Sequence, residues 1–102
     1  MSEDDRELLR LAAKAIGGMY DECGAISMDS GIDYNQWEPL EDDGDALRLA
    51  VELMITVKQS PFGVDACVLA GSATFEGWGD DRAAATRRAI VRAAAEIGKA
   101  TA

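Results

Sequence analysis

The chain has 102 residues, 48% of them apolar, and carries 19 acidic against 10 basic residues, a net charge of −9 with no histidine. That length supports one core and not two, so residues 1–102 are expected to form a single domain, with the apolar content of a folded protein rather than a disordered one. Without histidine the usual Ser and Cys triads are excluded, and Cys23 and Cys67, far apart and in no C-x-x-C spacing, cannot build a zinc site unaided.

No apolar run approaches bilayer length, and the first residues, "MSEDD", are acidic where a secretory signal would be basic and then apolar. A cytoplasmic protein with free thiols is the expectation. The acidity is unevenly spread: residues 1–45 carry 13 acidic and 3 basic residues, residues 46–102 carry 6 and 7. Such a surface repels phosphate, which argues against direct nucleic-acid binding, and it suits a partner with a basic surface or simple solubility.

Ser2 to Gly17 reads as the first helix. Ser2-x-x-Asp5 resembles a capping box, Glu3, Asp4 and Asp5 favour the positive end of the helix dipole, and Leu8, Leu9, Ala12 and Ile16 form a stripe. Gly17-Gly18 should stop it. Residues 21 to 36 are rich in turn formers, and "AISM" within them could add a short edge strand.

A second helix is expected from Asp43 to Leu53, capped by Asp42 or Asp43, with Leu40 stapled onto Leu47. Ala46, Leu47, Ala50, Leu53 and Met54 would be its buried side. Three strands follow: Ile55 to Gln59, Val64 to Ala70 and Ala73 to Trp78. The turn Ser60-Pro61-Phe62-Gly63 pairs Gln59 with Val64, and a type II′ turn at Gly71-Ser72 pairs Ala70 with Ala73 and Val68 with Phe75. Together these registers put Ile55, Val57, Val64, Ala66, Val68, Ala73 and Phe75 on one face. The other face is mixed and would be partly covered by a helix or by residues 19–36, giving helices on both sides of the sheet. A last helix from Asp80 or Asp81 to about Lys99 presents Ala83, Thr86, Ile90, Ala93, Ala94 and Ile97 inward, with Arg92 and Glu96 paired at i, i+4 and the end from Gly98 onward frayed. The expected fold is therefore α+β, a three-stranded antiparallel meander with room for a fourth short strand and helices packed on it, in the order α-(β)-α-β-β-β-α.

The acidic stretch Glu38 to Asp45 invites a calcium-loop reading, which fails. With Gly44 as the required glycine, the first ligand position falls on Pro39 and the twelfth on Ala50. A looser magnesium site needs only one or two carboxylates, and a metal-dependent enzyme stays open on that ground. Asp65 and Glu76 could share the outer sheet face, but Lys58 lies opposite Asp65, which favours a cross-strand ion pair over an acid–base dyad. No dinucleotide or phosphate-loop pattern is present, and no catalytic set, metal or cofactor is assigned. Two binding sets remain. Trp37 with Glu38, Glu41, Asp42, Asp43 and Asp45 forms a candidate protein-binding face. Trp78 with Arg82, Arg88 and Arg92 forms an alternative site for a phosphate or nucleotide.

The blocks "WEPLEDDGDALRLAVEL" (37–53) and "DDRAAATRRAIVRAAAEIG" (80–98) resemble those of small proteins of tailed phages and prophages, the phage ABA sandwich group. The resemblance implies helices flanking a sheet and an accessory role inside a bacterial host, and it carries no catalytic motif. The expectation is a non-enzymatic phage protein that binds and inhibits a host factor, an antiviral defence component being the favoured target, through its acidic face. The alternative is a nucleotide-sequestering protein using the C-terminal arginines. A homodimer closing a free sheet edge is compatible with either.

Overall fold

The computed structural model describes residues 2–21, 23–29, 31–69, 71 and 73–101. The chain is α+β; its described residues form three helices and two small antiparallel sheets in the order α-β-β-β-α-β-β-β-α. Helix α1 spans Glu3–Ala15, followed by β1 (Met19–Asp21), β2 (Ala25–Ser27) and β3 (Asn35–Gln36). Helix α2 spans Asp43–Glu52, then come β4 (Thr56–Gln59), β5 (Gly63–Cys67), β6 (Ala73–Gly77) and α3 (Arg82–Ala100).

All three helices start as the sequence dictates. Ser2 Oγ accepts from Asp5 N–H, Asp42 from Asp45 N–H and Asp81 from Ala84 N–H, so each first turn has one otherwise unpaired donor satisfied. Two helices end in the same hydrogen-bonded motif. Gly18 N–H reaches Ala13 O after α1 and Ile55 N–H reaches Ala50 O after α2, both at 2.9 Å. The turning residue is Gly17 (φ +79°) in the first case and Met54 (φ +55°) in the second. Glycine is the usual occupant there; Met54 is the one non-glycine residue in the left-handed region among those described.

Helix α3 is the centre of the molecule. The β4–β5–β6 sheet lies on one side of it, and α1 and α2 pack on the others. This explains why Ala89, Ile90, Val91, Ala93, Ala94, Ala95 and Gly98 are all buried, a wider set than a single stripe. The C-terminal end is not frayed as expected. Gly98 sits so close to α1 that a Cβ there would lie 1.9 Å from Leu11 O. One core joins α1, α2, α3, both sheets and Trp37.

Residues 19–36 hold a sheet of their own, ordered β1-β2-β3, rather than an edge strand of the meander. Ala25–Ser27 is its middle strand, and Tyr20 and Ile26 face each other across it. The first expected hairpin register holds, with Gln59 opposite Val64 and Val57 opposite Ala66. The second is displaced by three residues: Ala66 pairs with Thr74 and Asp65 with Phe75. The type II′ turn expected at Gly71-Ser72 falls partly outside the described residues; Gly71 itself has φ +95° and donates to Val68 O.

An odd displacement exchanges the faces of β6. Thr74 turns inward, where its hydroxyl donates to Ala89 O on α3 (2.8 Å), and Phe75 turns outward across Gly63. A Cβ at Gly63 would meet Glu76 O at 2.3 Å and the Phe75 ring at 2.5 Å, so this register requires glycine at 63. Ala73 and Phe75 are thus exposed rather than buried, and Asp65 and Glu76 lie on opposite faces. The outer sheet face is not covered by a helix: Thr56, Lys58, Ala73 and Phe75 on it are all exposed. Lys58 does face Asp65, but no ion pair closes between them. Leu47, Met54 and Ala83, expected in the core, are also exposed; Leu49 takes the place of Leu47 on the buried side of α2.

Candidate functional site: an acidic cleft at the start of α2

The turn that leads into α2 gathers Gln36, Glu38, Glu41, Asp42 and Asp45 around an open cleft of about 370 Å³. The side chains are held by the local fold. Asp42 caps the helix at its own Oδ2, 2.8 Å from Asp45 N. Asp45 reaches back over the turn, accepting from Glu38 N–H at 2.9 Å through Oδ2 and from Arg48 at 2.9 Å through Oδ1. Glu38 lies against Gly24, where a Cβ would sit 3.0 Å from its carboxylate. Glu41 is exposed; its backbone N–H donates to Glu38 O, and its carboxylate has no hydrogen bond or ion pair among the described residues. The cluster is therefore two structural carboxylates and two that face outward.

Trp37 and Asp43 do not join this surface. Trp37 is 7% exposed and packs edge to face with Tyr20, ring centroids 5.9 Å apart, while its backbone N–H donates to Gly24 O. It anchors the β1–β3 sheet to the core and offers no ring to a partner. Asp43 turns the other way, toward α3, where Arg87 Nη1 donates to it at 2.5 Å. Arg87 is the most enclosed of the helix arginines, and its Nε also donates to Leu40 O. Its structural role is not readable locally, because its partners lie 44 and 47 residues away.

The alternative ligand set is dispersed. Arg82 stacks on the Trp78 ring at 5.3 Å, and the Trp78 indole N–H is bound to Ser60 O (2.7 Å). Arg88 donates to Asp5 on α1, and Arg92 donates to Phe75 O and to Glu76 on β6 rather than pairing with Glu96, which takes Lys99 instead. Two of the three arginines are thus spent tying α3 to its neighbours. Among the described residues no three acidic or cysteine side chains converge as a metal-binding set, and no helix is long and apolar enough to cross a membrane.

Comparison with known proteins returns nothing: no family, no curated protein and no solved structure matches the chain. None of these comparisons bears on the resemblance read from residues 37–53 and 80–98.

One carboxylate outside the cleft is tuned by its surroundings. Asp29 accepts from Asp33 N–H and from the Ser27 hydroxyl, both at 2.8 Å, and these bonds hold its pKa below the ordinary aspartate value. They brace the loop that links β2 to β3.

A second surface, not anticipated as a site, lies beside α2. Leu47, Val51 and Met54 are spaced at i, i+4 and i+7 and are 63%, 70% and 64% exposed. Leu47 borders an almost wholly apolar cleft of about 290 Å³ between α2, β4 and the first half of α3. The spacing was legible in the sequence; what it lacked was any sign that α2 carries two apolar stripes, of which only the one through Ala46, Leu49 and Ala50 is buried.

Proposed function

We propose that this chain is a non-enzymatic phage or prophage accessory protein that binds and inhibits a basic host protein, a component of antiviral defence, through the acidic cleft at the start of α2. The observation that carries this reading is the fixed cluster of Glu38, Glu41, Asp42 and Asp45 on one rim. Two of these carboxylates are immobilised by backbone N–H groups, so a partner's cations meet a pre-arranged acceptor surface rather than mobile side chains. The basic groove of a nucleic-acid-handling protein has the complementary charge.

The test uses the outward-facing pair. Reversing Asp42 would remove a helix cap and reversing Asp43 would break the Arg87 pair, so changes there confound folding with binding. Glu38→Lys with Glu41→Lys avoids the cap and that ion pair. Expressed in bacteria carrying a defence system, the wild-type chain should raise the plating efficiency of the phage which that system restricts, and the double variant should not. No rescue by the wild-type chain against any of a panel of defence systems would overturn the reading.

A further inference from the structure

Trp37 is buried to all but 7% of its surface, yet its indole N–H has no acceptor among the described residues. The other tryptophan shows the usual arrangement: the Trp78 indole N–H is bound to Ser60 O at 2.7 Å. No buried side-chain nitrogen or oxygen is left without a partner among the described residues, so the Trp37 indole N–H keeps contact with solvent. The cleft that Trp37 lines, of about 260 Å³, is its opening, shared with Ile26 of β2 and Leu49 of α2. These two are 6% and 2% exposed, and with Trp37 they make a floor. Ile16, at the end of α1, and Met28, just past β2, complete the apolar lining.

Polar groups stand at the rim. Arg48 lines the cleft while donating through Nη2 to Asp45, so its other N–H groups are unspent. Glu52, one turn on along α2, is exposed, and its carboxylate has no ion pair or hydrogen bond among the described residues. The cleft thus has one recessed donor in an apolar floor, with donors and an acceptor at its mouth. Water suits it poorly, since a molecule on the indole N–H finds few further partners there. A group that accepts from that N–H and covers the floor displaces such a water at little cost. A charged group would lose its hydration over the floor without gaining a partner, and Arg48 and Glu52 give the lining no net charge.

We infer that this cleft binds a small uncharged molecule with a planar apolar body, which presents a hydrogen-bond acceptor beside an N–H donor, as a lactam or an N-heterocycle does. The acceptor takes the Trp37 indole N–H, the body covers Ile26 and Leu49, and the donor meets Glu52. At about 260 Å³ the cleft falls just short of the range that holds drug-sized ligands, which limits the body to one or two fused rings. An apolar side chain from a protein would fill the same space but leave the indole N–H unmet. The inference goes beyond the proposed protein partner and does not depend on it.

The test follows the two indole N–H signals of the isotope-labelled full chain by NMR, told apart with Trp78→Phe. The probes are quinolinones, benzimidazolones and indazoles at concentrations on the order of 1 mM. At least one should move the Trp37 signal and leave the Trp78 signal in place. Glu52→Ala should weaken it by about fivefold or more, as expected for a hydrogen bond to a charged group. Glu52 is exposed and unbonded, so that change spares the fold. Three comparison sets leave the protein unaltered: the same ring systems without an acceptor, with an added carboxylate, and with an added ammonium group. Each should bind more weakly. No movement of the Trp37 signal with any neutral heterocycle overturns the site, as does undiminished binding to Glu52→Ala. Equal or tighter binding by any comparison set overturns the ligand class and the inference with it. A Trp37 signal that moves with protein concentration alone also overturns it, because the occupant is then a second copy. None of these readings involves a host protein, so this site and the acidic face fail separately.

Discussion

Glycine to alanine inside a helix is ordinarily a gain of about 1 kcal/mol, because alanine restricts the unfolded chain and favours helical backbone. In this protein the same substitution should have opposite signs at two positions. Gly44, in the first turn of α2, has only Asp42 Oδ2 and the Arg48 guanidinium near a new Cβ, at 3.2 and 3.3 Å; Arg48 can move aside, and the Asp42 cap need yield only a few tenths of an ångström. Gly44→Ala should therefore stabilise by about 0.5–1 kcal/mol. Gly98 is buried on α3, and its Cβ would lie 1.9 Å from Leu11 O, 2.7 Å from Leu11 C and 3.2 Å from Leu11 Cα, all backbone of α1. Relief requires α1 to move bodily by more than an ångström, which separates the most extensive helix pair in the fold. Overpacking of this kind costs about 1–3 kcal/mol, and contact with backbone puts Gly98→Ala at or beyond the upper end. After the propensity gain, a net loss of about 2 kcal/mol is expected, a fall in Tm on the order of 10 °C for a domain of this size. Urea unfolding followed by circular dichroism, with the slope unchanged, would measure both variants. A neutral or stabilising Gly98→Ala would refute the close α1–α3 approach, and with it the central place of α3.

Three further outcomes follow from single contacts. Thr74→Val keeps the shape of the buried side chain but deletes the hydroxyl bond to Ala89 O, and should cost about 1 kcal/mol in chemical denaturation; no loss would argue for the other β6 register, in which Thr74 faces solvent. Met54→Gly should relieve the left-handed backbone at the end of α2 and raise stability by about 0.5–1 kcal/mol, read as a Tm increase of a few degrees. Asp29 has a depressed folded-state pKa, so the stability it lends is present above its unfolded value and is lost only as pH falls through the lower folded value. In an NMR titration the Asp33 amide should stay in place through the ordinary carboxylate range and shift below it, and an Asp29→Asn chain should show no such step.

What the sequence disclosed divides by distance along the chain. The three helix caps, the stop at Gly17 and the Gln59–Val64 register are settled by residues within a few positions of each other, and all were readable. The second hairpin was not. A plausible two-residue turn at Gly71-Ser72 competes with two distant contacts, the Thr74 hydroxyl on α3 and the Phe75 ring over Gly63, and the distant pair wins. The β1–β3 sheet escaped because strands of three, three and two residues carry too little alternation to register against a background of turn formers. In the candidate site, the cluster of acids was legible and its division was not. Nothing local reveals that Trp37 is buried beneath Tyr20, that Asp43 faces Arg87, or that Arg88 closes on Asp5 across 83 residues.

That division bears on how salt should act. Asp43, Asp5 and Asp45 are paired with Arg87, Arg88 and Arg48, but at least one partner in each pair is substantially exposed, so each contributes at most about 1 kcal/mol and less when screened. Against these stands the self-repulsion of a chain with net charge −9, which added salt relieves. Raising the salt from low to physiological strength should leave stability unchanged or slightly higher. Binding of a basic partner depends on the same charges with the opposite sign, and attraction across more than about 8 Å is screened at that ionic strength. Affinity should fall over a range in which the fold holds or gains. If unfolding and binding instead weaken together with salt, the acids at the start of α2 serve the fold alone, and an electrostatic role for Glu38 and Glu41 in recognition is wrong.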